Sequence, residues 1–247
     1  MLGNSLHKHF VMQNLTKLDS FFNLNISSHL SLLIDNKNIL KEIEQYVSTK
    51  NDFLRKSWPN HYILGLYRLS LFCLVAALKP NKIIETGVLH GFTSLTILQA
   101  LYNNGKGHLT SIDAPSYPKS GPANDDGFKD VLPKNSSPGW VIPSNLKKEW
   151  SLKLGKSSDV LPEIIKNNKI DFFLHDSEHT YETMMFEFKT IWPNLKKNGV
   201  LIADNIDCNT SFFDFANSVK KEIVVMPSEP SSDKNIYPNI RFGVIKK

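Results

Sequence analysis

The chain has 247 residues, 41% hydrophobic and 21% charged, the balance of a globular protein with ample length to bury a core. Its formal charge of +5 is spread over separated pairs such as Lys147-Lys148, Lys196-Lys197 and Lys220-Lys221, so no dense basic run with interleaved aromatics marks a nucleic-acid surface. The two cysteines, Cys73 and Cys208, make neither a disulfide framework nor a metal spacing, and a reducing, cytoplasmic setting is expected.

Residues 1–10 lack the apolar centre of a signal peptide. Leu15, Leu18, Phe21 and Phe22 recur at helical spacing, as do Ile39, Ile43 and Tyr46, with polar breaks at 23–28 and 35–38. Such small helices cannot bury their apolar faces alone. They are expected to pack on the main domain, close its cleft, or form the contact of a homo-oligomer. Pro59 marks a boundary between this extension, residues 1–60, and a single domain over 61–247. Residues 62–78 are the most apolar segment, but Arg68 and Ser70 interrupt it, and it falls short of the ~20 residues of a membrane span. It reads as a buried or amphipathic helix, with no membrane partner.

A short apolar strand at 82–85 then breaks into Glu85-Thr86-Gly87-Val88-Leu89-His90-Gly91-Phe92-Thr93-Ser94 and continues as a helix to about 101. Glycines stand where the backbone must turn tightly and let a ligand approach without a Cβ in the way. A dinucleotide fingerprint requires Gly-x-Gly-x-x-Gly to seat a pyrophosphate. Here Gly91 follows Gly87 by four positions, and Glu85 would repel a pyrophosphate; it suits a ligand with a cationic end.

A second strand at 108–113 ends in Asp113, placed to bond ribose hydroxyls or to cap the next turn. Residues 114–143 hold six prolines and no sustained period, as in a lid or binding loop, with Tyr117, Phe128 and Trp140 as its aromatic wall. A third strand at 150–154 precedes Gly155-Lys156-Ser157-Ser158-Asp159, whose serines could donate to a base or cap the helix at 160–167. Strands at 170–174 and 200–203 run into His175-Asp176-Ser177-Glu178-His179 and Asp204-Asn205. The alternation of strand and helix predicts an α/β fold, a Rossmann-like doubly wound and mostly parallel sheet, with the first strand beside the fourth.

Asp176, Asp204 and Asn205 would then meet beside the glycine turn. Carboxylates crowded there need a cation or protein donors, and oxygen ligands without cysteine favour Mg²⁺, then Mn²⁺ or Ca²⁺. Alternatively, Asp204-Asn205 forms a turn and Asp176 caps a helix. A helix at 180–192, a further helix at 212–218 and strands at 222–226 and 240–245 complete the chain.

The Glu-x-Gly-x-x-x-Gly-x-x-Ser stretch resembles the first motif of class I S-adenosylmethionine methyltransferases. The resemblance implies that Glu85, Gly87, Gly91, Ser94 and Asp176 surround the methionine end of the cofactor, Asp113 its ribose, and Ser157 and Ser158 its adenine. It further implies a seven-stranded sheet whose last strand is antiparallel. Asp176, Asp204 and Asn205 resemble the metal triad of the catechol and caffeoyl-CoA O-methyltransferases. His179, in Asp-x-x-His-x-Tyr, resembles instead the macrocin-type sugar O-methyltransferases and their cephalosporin-hydroxylase relatives, and replaces the lysine base of the catechol enzymes. The expected activity is metal-assisted methyl transfer to a hydroxyl of a small molecule, with His179 as base. The competing expectation is a non-catalytic subunit that binds the cofactor for a partner enzyme.

Overall fold

The structure, a computed structural model, describes residues 5–34, 65–115, 132, 135–166, 168–228 and 240–247. Tyr117, Phe128, the 39–46 repeat and Pro59 lie outside these residues.

Seven strands form one sheet: β1 (Lys82–Thr86), β2 (His108–Asp113), β3 (Trp150–Leu154), β4 (Ile170–His175), β5 (Leu195–Ala203), β6 (Ile223–Pro227) and β7 (Arg241–Lys246). Their order is β3-β2-β1-β4-β5-β7-β6. The first five are parallel, β7 runs antiparallel to β5, and β6 pairs antiparallel with β7. This is the doubly wound α/β sheet with the antiparallel last strand expected above. The first strand does lie beside the fourth, and the change of strand order between β1 and β4 opens a crevice at their carboxyl ends.

The continuous apolar strands follow from burial on both faces. Ile83, Leu109, Phe172, Leu174 and Ile202 point to one face, where α1 (Ser5–Phe22), α3 (Leu66–Leu78) and α4 (Phe92–Asn104) pack. Ile84, Ile112, Phe173, Leu201 and Ala203 point to the other, under α5 (Ser157–Ile165), α6 (Tyr181–Ile191) and α7 (Ser211–Val219). Each fully buried side chain of this size contributes ~1.5–3 kcal/mol. The same alternation sends Glu85 to the first face and Thr86 to the second, which decides their partners below.

The described N-terminal helices pack on the main domain. Val11, Leu15, Leu18 and Phe22 of α1, with Leu30 and Leu33 of α2 (Leu30–Ile34), join the core beside α3. α3 ends where Lys79 turns left-handed, with φ 48°, ahead of Pro80. No helix among the described residues is long and apolar enough to cross a membrane.

Two elements differ from their sequence reading. β5 begins at Leu195 rather than 200, because the chain through Asn198, at φ 65°, still pairs with β4 across a register shift. α5 begins at Ser157 and tolerates Pro162 inside it. Ser157 is therefore the first helical residue; the cap position falls to Lys156, which makes no side-chain cap bond.

Candidate active site

The glycine turn sits at the carboxyl end of β1 and is held from three sides. Gly87 N–H donates to the carbonyl of Ile112 (2.9 Å). The N–H groups of Val88 and Leu89 donate to Asp113 Oδ2 at 2.7 and 2.9 Å. Asp176 N–H donates to the carbonyl of Thr86 (2.9 Å), which brings the end of β4 against the turn. Gly91, at φ 95°, then starts α4. One oxygen of Asp113, the ribose candidate, thus braces the turn; burial raises its pKa, and these two N–H bonds oppose the rise.

Glu85 is wholly buried. Its Oε2 accepts from Ser94 Oγ and Ser111 Oγ, both at 2.6 Å, and Ser111 Oγ accepts from Trp150 Nε1 at 2.9 Å. Its Oε1 has no hydrogen-bond partner among the described residues. Burial pushes the carboxyl up to about 7 despite the two serine hydroxyls. A folded-state pKa above the unfolded 4.5 means that the folded chain binds the proton more tightly, so stability falls as pH rises from about 4.5 to 7 and then levels. At 1.36 kcal/mol per unit the loss is about 3 kcal/mol. Thermal melts of Glu85→Gln against pH should show that slope flattened; an unchanged slope would assign it to other groups.

Ser94, expected to face the cofactor, is turned inward to Glu85. Its neighbour Thr93 takes the outward place. Thr93 Oγ1 donates to Asp176 Oδ2 (3.4 Å) and accepts from Arg68 Nε (3.2 Å). Sequence reasoning noted Arg68 only as an interruption of an apolar helix; that interruption was the signal, since it is the one charge in α3.

Asp176 and Asp204, from the ends of neighbouring β4 and β5, come together as expected. Burial raises the pKa of both; the charge of Asp204 raises Asp176 further, while Arg68 lowers both and His179 lowers Asp204. Asp204 Oδ1 accepts from Ser228 Oγ at 3.1 Å, and the Asn205 N–H bonds the same carboxylate. Asn205 is left-handed at φ 49°, and its carbonyl accepts from Cys208 N–H at 3.0 Å, so Asn205 opens a turn centred on Ile206 and Asp207, just after Asp204. Asp176 does not cap α6: Thr180 does, through the N–H of Thr183 (3.3 Å). Among the described residues no group of three or more His, Cys, Asp or Glu is disposed to hold a metal.

His179 is buried near Asp204, its ring edge-on to His175 with centroids 5.4 Å apart. His175, also unforeseen, bonds through Nδ1 to Glu187 Oε2 at 2.6 Å. Glu187 is wholly buried on α6, and takes further bonds from Thr86 Oγ1 (2.6 Å) and Ser177 Oγ (2.8 Å). Burial would raise its carboxyl, but His175 and the hydroxyls of Ser157 and Thr86 hold it below the usual range. The result is a fixed polar core behind the strand ends.

Ser157 is half-buried at the start of α5, and exposed Ser158 donates to Asp159 Oδ1 at 3.1 Å. The carboxyl end of the long loop is stitched to the glycine turn. Gly139 N–H donates to the Leu89 carbonyl (2.9 Å), and Trp140 Nε1 to His90 Nδ1 (2.9 Å). Burial pushes His90 down to about 4, so it is neutral and accepts that bond. Trp140 is thereby tied to the glycine turn.

Residues 84–206 match the family described as a methyltransferase domain. No curated protein matches the sequence. Three solved structures share the fold at low identity. The O-methyltransferase from Bacillus cereus, in complex with S-adenosylhomocysteine, is 16% identical with TM-score 0.56, over 84% of this chain and 91% of that one. The Podospora anserina methyltransferase PaMTH1, also bound to S-adenosylhomocysteine, is 12% identical with TM-score 0.51, over 89% and 92%. TomG from Streptomyces achromogenes, an O-methyltransferase of tomaymycin synthesis solved with S-adenosylmethionine, is 12% identical with TM-score 0.51, over 93% and 95%. The family match covers the glycine turn and both strand-end acids, and the sheet shares the fold of these solved methyltransferases; residues 84–206 are assigned to the methyltransferase-domain family.

Proposed function

We propose that the chain transfers the methyl group of S-adenosylmethionine to a hydroxyl of a small molecule, a sugar, phenol or secondary metabolite, with the help of a divalent cation. The observation that carries this reading is the pair Asp176 and Asp204, crowded and desolvated beside His179 at the mouth of the glycine turn. O-methyltransferases among the structural neighbours support the acceptor atom.

The donor chemistry fits a hard ion. Two buried carboxylates raise each other's proton affinity, and Arg68 brings only one compensating charge. Asp176, Asp204 and the Asn205 amide would hold Mg²⁺, with Mn²⁺ or Ca²⁺ as substitutes. Such an ion supplies a lowered pKa for an acceptor hydroxyl. Glu85, Gly87, Gly91 and Asp176 would line the methionine end of the cofactor, Asp113 would offer its second oxygen to the ribose, and Ser158, with Ser157 once released from Glu187, would serve the adenine. His179 takes the hydroxyl proton. The oxygen lone pair then forms the C–O bond as the C–S bond breaks, its electrons staying on the sulfur of S-adenosylhomocysteine. Positioning and electrostatics supply most of the rate.

The test is release of S-adenosylhomocysteine on addition of sugar and phenolic diols with Mg²⁺. His179→Ala should lower turnover by ~10²–10⁴-fold while cofactor affinity holds. Full turnover in that variant, and in excess chelator, would remove both base and metal from the mechanism. Cofactor binding with no transfer to any acceptor would favour the non-catalytic subunit.

A further inference from the structure

S-adenosylmethionine ends in an α-amino acid, which carries an ammonium and a carboxylate one carbon apart. A pocket lined by acids alone would attract the first and repel the second, so the carboxylate needs its own donors. Three donors stand beside the acids, and two of them, Tyr67 and Arg68, lie outside the sequence motif.

Arg68, half-buried in the first turn of α3, bonds Thr93 Oγ1. Its charge bears on Glu85, Asp176 and Asp204 together. Thr93 supplies a hydroxyl that reaches Asp176 over a long 3.4 Å and can turn to a better acceptor. Tyr67, the residue before Arg68, is 4% exposed, and its hydroxyl has no hydrogen-bond partner among the described residues. The charges that act on that hydroxyl are again Asp176, Asp204, Glu85 and Arg68. Glu85 Oε1 is the complementary atom, a buried acceptor without a donor among the described residues. An orphaned donor and an orphaned acceptor within one charge cluster match the two ends of a zwitterion.

We propose that Arg68, with the hydroxyls of Tyr67 and Thr93, anchors the carboxylate of the methionine end, while Glu85 and Asp176 face its ammonium. Arg68 is then a specificity-determining residue. Guanidinium is the side chain best suited to a carboxylate, through two parallel N–H bonds. The site thereby selects a complete amino acid and discriminates against adenosine thioethers that lack one. The anchor rests on the S-adenosylmethionine reading and adds to it a second, separable recognition.

Calorimetric titration of the full chain with S-adenosylmethionine, its decarboxylated analogue and methylthioadenosine tests it, after circular dichroism and melting confirm the fold of each variant. The native chain should bind S-adenosylmethionine about 10- to 100-fold more tightly than the decarboxylated analogue. Arg68→Met should lose that preference by weakening only the carboxylate-bearing ligand, and Arg68→Lys should regain part of it. Tyr67→Phe, which keeps the charge balance, should cost several-fold for S-adenosylmethionine and nothing for the analogue. Equal losses for all three ligands in Arg68→Met, or no loss for any, would overturn the anchor. A native chain that binds none of the three would instead sink the cofactor reading.

Discussion

Gly87→Ala is expected to destabilise the fold by more than ~4 kcal/mol and to abolish cofactor binding. A Cβ at this position would lie 1.8 Å from the carbonyl oxygen of Asp176 and 2.4 Å from its carbon. Both are backbone atoms, so no side chain can rotate away. The backbone at φ 84° adds the strain of the left-handed region, ~1–2 kcal/mol for a residue with a Cβ. Relief would require separating the turn from the end of β4, which breaks the bond from Asp176 N–H to Thr86 or from Gly87 N–H to Ile112. Against a typical stability of ~5–15 kcal/mol the loss leaves a marginal chain, and the melting point should fall by about 10 °C or more. Gly105→Ala is the control. Its φ of 65° carries the same strain, but nothing lies within 4 Å of the added Cβ, so it should cost only the ~1–2 kcal/mol of strain. Equal melting points for the two variants would show that steric overlap with Asp176 is not what Gly87 prevents.

The contrast between Glu85 and Thr93 explains how much of the site could be read before the fold was known. Glycine spacing, strand-end acids and the alternation of strand and helix are local, and they placed the first strand beside the fourth, the turn, and the meeting of Asp176 with Asp204. Ser94 was misplaced by one residue because the rotation of α4 on the sheet decides which hydroxyl faces Glu85 and which faces Asp176, and that rotation is set by packing against α3. Tyr67 and Arg68 lie 18 and 17 residues before Glu85, on a helix with no motif, and only the tertiary contact with Thr93 brings them in. Glu187 and His175 were equally silent. The partnership depends on the pleat that turns Thr86 and His175 to the same face, above α6.

Asp204→Asn should remove methyl transfer yet stabilise the chain. The two carboxylates at the ends of β4 and β5 are held together against burial and against each other, with pKa values raised in both. Raised folded-state values mean that the folded chain prefers the protonated acids. Stability is therefore lost as pH climbs from the ordinary carboxylate range to the raised values, and the wild type carries that loss at neutral pH. An amide at 204 keeps an oxygen for Ser228 Oγ and removes one charge, so Asp176 loses the repulsion from Asp204. The variant should melt higher than wild type, by a margin that grows with pH across that window. Turnover should fall by at least ~10²–10³-fold, since the charge that organises the acceptor hydroxyl is gone, while S-adenosylmethionine affinity, carried by the glycine turn and its neighbours, stays within a few-fold. Mg²⁺ should raise the melting point of the wild type through its preference for the folded state and leave the variant unmoved. A wild type more stable than Asp204→Asn at pH 8 in chelator would show that Arg68 and the neighbouring donors already balance the pair. In that case the two acids would need no added cation, and the metal would leave the proposed mechanism while the methyl transfer itself could stand.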